Sequence, residues 1–321
     1  MSRYSEQKQI AKKNVALYQY PDYGVIELMG EDCLQFLHNQ TTNEVKSLKP
    51  QQGCHTVFVN STGRTLDLAT VYVTEEKVLL LVSPQRTEFL MSWLDRYLFP
   101  MDRVTLKDVS EDYTVFTIAG EKSEAMGKQF GITISWEQPF ATHERITIDA
   151  VSVRIAVGTE IALPGYTLLV SSEHSEHLKQ ILTNLGAASI EQSAWEELTL
   201  EQGRPLPDSE LTEDHNPLEA GLWNAISFDK GCYIGQETIA RLNTYQGVKQ
   251  RLWGIKLSQP VDLETPITLE GKKVGKLTRL LETDEGSKGL AYIRTKAGGE
   301  GLTVQVGEAT GEVFALPFLT H

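Results

Sequence analysis

Cysteine is scarce. The 321 residues hold three, Cys33, Cys54 and Cys232, an odd number at wide spacing that makes neither a secreted disulfide framework nor the four-thiolate set of a zinc or iron–sulfur centre. A reducing, cytoplasmic setting is the expectation. Long apolar runs are missing too: the longest aliphatic stretch, Val78–Val82, is strand-sized, whereas a membrane helix needs about twenty residues. Residues 1–30 contain no apolar core of a secretory signal, so no membrane partner is expected. Positive charge is in short supply, since 30 Lys and Arg stand against 43 Asp and Glu for a net charge of −13. Such a chain repels a polyphosphate backbone, and double-stranded DNA is not an expected partner. No Walker loop, dinucleotide glycine fingerprint, nucleophilic triad or metal-ligand cluster occurs, and the His174/His177 pair lacks a third ligand. No metal site is expected.

What is present is an ordinary globular composition, 40% hydrophobic and 23% charged, in a length that suits two domains or three small ones. Residues 25–29 read as a strand ending at Gly30, and Asp32 is placed to cap a helix that buries Leu34, Phe36 and Leu37. Two-residue alternation over 56–82, broken at 61–63 and 74–77, predicts three antiparallel strands. Ser83 and Pro84 then suit the cap and first residue of a helix carrying Phe89, Leu90, Trp93, Leu94, Tyr97 and Leu98 on one face. Residues 103–171 look strand-rich. Helices follow at 173–185 and from 190 to Gly203, the second burying Ala194, Trp195 and Leu198 with its acids at 196–201 in solvent. Beyond Gly247 short strands between Pro, Gly and Asp clusters predict a closed all-β barrel.

Three stretches could carry chemistry. In residues 229–237, Cys232 lies between Gly231 and Gly235, just ahead of a helix start near Gln236. Free N–H groups there and the adjacent Lys230 would favour a reactive thiolate, against the alternative of a small buried hydrophobe. Cys33 and Cys54 have no such setting. Residues 198–222 place two carboxylates, Glu201 and Glu219, near turn glycines. A planar carboxylate can meet the 2-amino and N3–H pair of a pterin ring with two hydrogen bonds, although on composition alone Glu201 reads more simply as one of several exposed acids of its helix. Residues 60–67 form a hairpin turn followed by Asp67 at an alternating position, which is costly if inward and unpaired, and unremarkable if outward.

The segments Leu28-Met29-Gly30-Glu31-Asp32, Phe36-Leu37, Gln40-Thr41-Thr42-Asn43, Asn216-Pro217-Leu218-Glu219-Ala220-Gly221-Leu222 and Val274-Gly275-Lys276-Leu277-Thr278 resemble a pattern shared by the glycine-cleavage aminomethyltransferases and the YgfZ family of tetrahydrofolate-binding proteins. Lys230-Gly231-Cys232-Tyr233-Ile234-Gly235-Gln236-Glu237 resembles the signature of the YgfZ group specifically. The resemblance implies an α+β fold, a three-lobed GcvT-like ring with two α+β lobes and a C-terminal β-barrel around a central folate channel. It corresponds to a body over 1–246, whose second interleaved lobe is roughly 51–149, and a barrel over 247–321. It makes Glu201 the pterin-binding glutamate and tetrahydrofolate, or a one-carbon derivative, the cofactor. The expected site joins Cys232, Lys230 and Asp67 as chemical groups with Glu201, Glu219, Tyr233 and Gln236 as folate contacts. A single Asp67 stands where aminomethyltransferases carry consecutive aspartates, and a lost carboxylate removes a base or an anchor for a cationic amine. The role that the YgfZ resemblance implies is an accessory factor for iron–sulfur enzymes, their assembly proteins and dependent tRNA modification. Folate-dependent aminomethyl transfer is the second reading, and a scaffold that has lost its ligand the third.

Overall fold

The computed structural model describes residues 3–283 and 286–320. The chain opens with helix α1 (Arg3–Lys13), which the single apolar residues of this polar stretch do not signal, then strands β1 (Ala16–Gln19) and β2 (Gly24–Met29) and helix α2 (Cys33–Gln40). Asp32 stands at the start of α2 but makes no capping bond; its carboxylate turns to the guanidinium and backbone N–H of Arg103 instead. The alternating stretch folds as β3 (Gly53–Val59), β4 (Thr65–Val73) and β5 (Val78–Val82), with the expected turns. Helix α3 (Thr87–Asp95) starts later than Ser83-Pro84 suggests. The reason is that the Ser83 backbone N–H donates to buried Asp67 at 3.0 Å, which holds residues 83–86 in a turn. Strands β6 (Thr105–Asp108) and β7 (Tyr113–Ala119), helix α4 (Ser123–Gln129), strands β8 (His143–Ile148), β9 (Val151–Val157) and β10 (Gly165–Ser171), helix α5 (Ser175–Asn184), strand β11 (Ala188–Ser189) and helix α6 (Gln192–Gln202) follow. After α7 (Gln236–Thr244) come β12 (Gln250–Leu257), β13 (Pro266–Leu269), β14 (Lys272–Thr283), β15 (Gly286–Arg294), β16 (Thr303–Val306) and β17 (Ala309–Phe314).

The strands make two sheets and a barrel. One sheet has the order β3-β4-β5-β2-β6, the other β11-β1-β7-β10-β9-β8, and the barrel closes as β12-β15-β14-β13-β16-β17. Strand β5 shows why its run is apolar throughout: Leu79 and Leu81 pack into a core shared with the second sheet, while Val78, Leu80 and Val82 pack beneath α2 and α3. A strand covered on both faces has no polar side to show. The second sheet repeats the arrangement, with Leu169 and Ala156 in the shared core and Leu168, Val170 and Ile155 on the face covered by α4 and α5. The molecule is thus layered helix, sheet, sheet, helix, with the barrel docked on α7 and the 206–226 loop through Leu252, Leu290 and Tyr292. Among the described residues, no helix is long and apolar enough to cross a membrane.

Candidate functional site

Strand β1 belongs to one sheet and β2 to the other, so residues 20–23 must pass from sheet to sheet. That crossing carries Tyr20, Pro21, Asp22 and Tyr23, which with Tyr18, Trp195 and Arg204 line a cavity of about 230 Å³. The aromatic wall is built by direct contact. Tyr18 stacks on Trp195 at 4.6 Å and 11°, and Tyr20 meets Tyr18 edge-on at 4.9 Å. On α6 the cavity takes Gln192, Trp195, Glu196 and Thr199, one helical face.

At the base lies Arg204, 2% exposed, its Nη1 3.0 Å from Glu160 Oε2. The same guanidinium donates to the Glu160 and Leu68 carbonyls and faces the Phe318 ring at 5.7 Å. Glu160 also accepts from the Thr70 hydroxyl at 2.9 Å, and its second oxygen lies 3.6 Å from His55 Nε2. Burial alone would push the Glu160 carboxyl up, but the Arg204 charge and His55 hold it down at about 2. Burial likewise opposes the charge on Arg204, and the Tyr23, Glu160 and Tyr20 oxygens override it, raising the guanidinium pKa. The pair stays ionised in a dry setting, where removing one partner is far more costly than its presence is stabilising. Sequence reasoning did not single out Arg204, Glu160 or the tyrosines. An arginine between Gly203 and Pro205, where a turn holds it against the end of a helix, was the signal available.

Asp67 points inward, fully buried, within reach of the Arg204 charge. Its Oδ1 accepts the Leu68 N–H at 2.9 Å and its Oδ2 the Ser83 N–H at 3.0 Å. Burial lifts its carboxyl to about 6 against these bonds and the Arg204 charge, so Asp67 can gain or lose a proton near neutrality.

The other expected residues are divided between separate places. Glu201 does not face the cavity; it lies on the α6 side that packs against α1. Its carboxylate is held by Lys8 at 3.0 Å, Lys12 at 3.3 Å and, from β15, Lys288 at 3.1 Å. Glu197 and Glu201 are therefore not part of a solvated face, Glu197 being 8% exposed and also bound by Lys8, whereas Glu196 is exposed. Glu219 is buried at the barrel junction, with its Oε2 accepting the Asn216 N–H at 3.2 Å and lying 3.8 Å from Arg64.

Lys230, Cys232, Tyr233 and Gln236 stay together in the loop that leads into α7. The Lys230 ammonium is buried and donates to the carbonyls of His38, Thr41 and Asn43 at 2.7, 2.7 and 2.6 Å. It thereby closes the C-terminal end of α2, and burial lowers its pKa to about 8. Its charge is spent on these carbonyls and is not aimed at the thiol. Gln236 Oε1 accepts the Tyr233 N–H at 3.3 Å at the start of α7, and Tyr233 is buried under Lys230, 4.7 Å from ring centre to Nζ. Cys232 is exposed and precedes the first residue of α7 by a full turn of chain. Gly235 has φ +77°, and a Cβ there would come within 2.5 Å of the Asn60 carbonyl. The β3–β4 turn at Gly63 thus packs directly on the cysteine loop, which brings two of the sequence motifs into contact.

A family model described as the GCVT N-terminal domain matches residues 3–230. A chloroplastic protein of Arabidopsis thaliana with a provisional transferase description is 42% identical over 310 residues, 96% of this chain and 72% of that one. An aminomethyltransferase of Bacillus subtilis is 24% identical over 318 residues, 95% of this chain and 86% of its own. In structure, the glycine cleavage system aminomethyltransferase T of Bartonella henselae superposes with a TM-score of 0.82 at 18% identity, covering 98% of this chain and 89% of that one. That likeness shows the fold, including the mixed α+β body and closed barrel expected from the sequence. With a matched model spanning most of its length and a close relative along nearly all of it, the chain belongs to the family of the GCVT N-terminal domain.

Proposed function

We propose that the protein binds a reduced folate, tetrahydrofolate or a one-carbon derivative, in the tyrosine-lined cavity. We further propose that it acts as an accessory factor of the YgfZ type, supporting iron–sulfur enzymes or their assembly proteins and the tRNA modification that depends on them. The observation that carries the first part is the aromatic cavity built over the buried Arg204–Glu160 pair. The residues fit such a ligand: Arg204 lines the cavity, and its buried Nε has no hydrogen-bond partner, leaving a donor for a heterocycle or carboxylate acceptor. Tyr18, Tyr20 and Trp195 offer flat apolar walls, while Asp22 and Glu196 supply acceptors nearer the rim. When bound, a reduced folate supplies a carried one-carbon unit; the chain orients it and keeps water away. The family membership and the aminomethyltransferase relatives support the same cofactor class.

The accessory role rests on the resemblance of residues 230–237 and on Cys232 being the exposed one of the three thiols. Iron–sulfur enzyme activities compared in cells with the parent, without it, and with Cys232→Ser test that role; a fully active serine variant removes the thiol step. Aminomethyl transfer is favoured by one observation, the buried Asp67, whose carboxyl is lifted to about 6 within reach of the Arg204 charge. A folate turnover assay with candidate amines separates the two readings. For the cavity itself, calorimetry with tetrahydrofolate is the test. Gln192→Trp at the exposed rim should weaken binding at least tenfold, about 1.4 kcal/mol. Equal affinity in that variant refutes the cavity, and no binding by the parent refutes the folate reading.

A further inference from the structure

A second concavity, about 330 Å³ in volume, lies between α2 and residues 97–102. Its rings come from Phe36, Tyr97 and Phe99 and its acceptors from Asp32, Asp102 and Gln40, and no lysine or arginine lines it. Asp32 is engaged by Arg103. Asp102 gives one oxygen to the Phe99 N–H at 2.8 Å and has no ion-pair partner among the described residues. Gln40 is 8% exposed, yet its Oε1 is buried without any hydrogen-bond partner. A buried acceptor left open costs free energy that a ligand donor would restore. The free carboxylate of Asp102, the Gln40 amide oxygen and the aromatic faces are the chemistry that recognises an ammonium or guanidinium group.

Two further observations say what carries that cation. Phe99, 68% exposed, lines the groove, and Met101, 90% exposed, lies between it and Asp102 in the chain; an adaptable methionine beside an aromatic suits a polypeptide contact, wider than any small cation needs. The groove also leads to Cys232. Asn39 lines it, and the Asn39 carbonyl accepts the Ile234 N–H at 2.9 Å, two residues beyond the thiol. We propose that this groove docks a Lys- or Arg-bearing segment of a partner polypeptide, its cation between Asp102 and Gln40 Oε1 against the Tyr97 and Phe99 rings, and presents that partner to Cys232. The docking stands on the groove alone, while the presentation rests on the thiol reading of Cys232.

The full-length protein is titrated with acetyl-Leu-Arg-Leu-amide and with the same peptide carrying citrulline, followed by NMR of the glutamine and asparagine side-chain amides. The arginine peptide should shift Gln35, Asn39 and Gln40 and bind about tenfold more tightly than citrulline. Asp102→Asn, which keeps the acceptor for the Phe99 N–H, should remove that preference. Equal binding of the two peptides, an unchanged preference in Asp102→Asn, shifts elsewhere, or argininamide binding as tightly as the peptide would each overturn the groove. Presentation is read separately with peptides bearing a pyridyl disulfide: the Cys232 thiolate attacks the peptide-side sulfur, forms the mixed disulfide and releases 2-thiopyridone. The arginine version should react faster than the citrulline version, and the difference should vanish in Asp102→Asn. Docking without acceleration retains the groove and refutes only the presentation to the thiol.

Discussion

The charge of the buried Arg204 guanidinium is met by a carboxylate from the loop between β9 and β10, and this dependence is open to measurement. Glu160→Gln removes the charge while keeping the shape, leaving a cation 2% exposed without its counterion. Stability should fall by about 3–5 kcal/mol, read from urea midpoints; a loss under about 1 kcal/mol would mean the pair behaves as if in water. A second measurement concerns acid. His143 is fully buried, its Nδ1 2.8 Å from Arg154 Nη1, and burial first, then the Arg154 charge, lowers its pKa to about 4. Since the unfolded side chain titrates near 6.5, the unfolded chain binds more protons between those values. Its stabilisation is therefore complete above about pH 6.5 and drains away as the pH falls toward 4. Asp67, lifted to about 6, works in the opposite sense, so the informative quantity is the difference between parent and His143→Asn. The variant should show a shallower loss between about pH 6.5 and 4.5, and an identical slope would show that His143 does not titrate in this window. None of these partnerships was legible in the sequence. His143 and Arg154 are cross-strand neighbours, Glu160 and Arg204 are distant in sequence, and a chain read locally cannot show which charges meet in three dimensions. The Lys230–Cys232 motif illustrates the reverse case: its residues were visible, but the direction of the ammonium was set by α2, far upstream.

Helix α1 has little amphipathic pattern, yet it docks through charge. Lys8 joins Glu197 and Glu201, and Lys12 and Lys288 complete the cluster. Glu201→Gln should therefore act on stability, lowering it by about 1–3 kcal/mol, and leave tetrahydrofolate affinity within about twofold, or 0.4 kcal/mol, by calorimetry. A selective loss of affinity with unchanged melting would restore this residue to the folate site. The other elements divide along the same physical line. Strands β3 to β5, helix α6 with its Gly203 stop and the barrel strands were legible because period and turn chemistry are local. Helix α1 was not, because the carboxylates that its lysines meet come from α6, far along the chain. The start of α3 was misread because Ser83-Pro84 carries a valid helix-start pattern that the buried Asp67 overrides. A tertiary hydrogen bond outweighed a local preference there.

Taken whole, the barrel is fastened to the body at several points. Tyr292 donates its hydroxyl to the Glu210 carbonyl at 2.8 Å, Arg279 bonds Glu210 and the Arg204 carbonyl, and the Phe318 N–H returns to the Gln202 carbonyl. A fragment of residues 1–246 would expose the apolar faces of Leu218, Leu222 and Ile239, and it should be insoluble or melt without cooperativity in calorimetry. A soluble fragment with a sharp transition and folate affinity would show that the barrel is an independent unit. The crossing of residues 20–23 has a further consequence, in time. Strand β1 is clasped between β7 and β11, with Ala16 opposite both Ala119 and Ala188, so it cannot take its place until much of the intervening chain has collapsed. Pairings so remote in sequence make folding slow. The tyrosines that follow β1 are among the last side chains to be fixed, so during refolding the protein should regain helical signal well before it regains the ability to bind a ligand in the cavity.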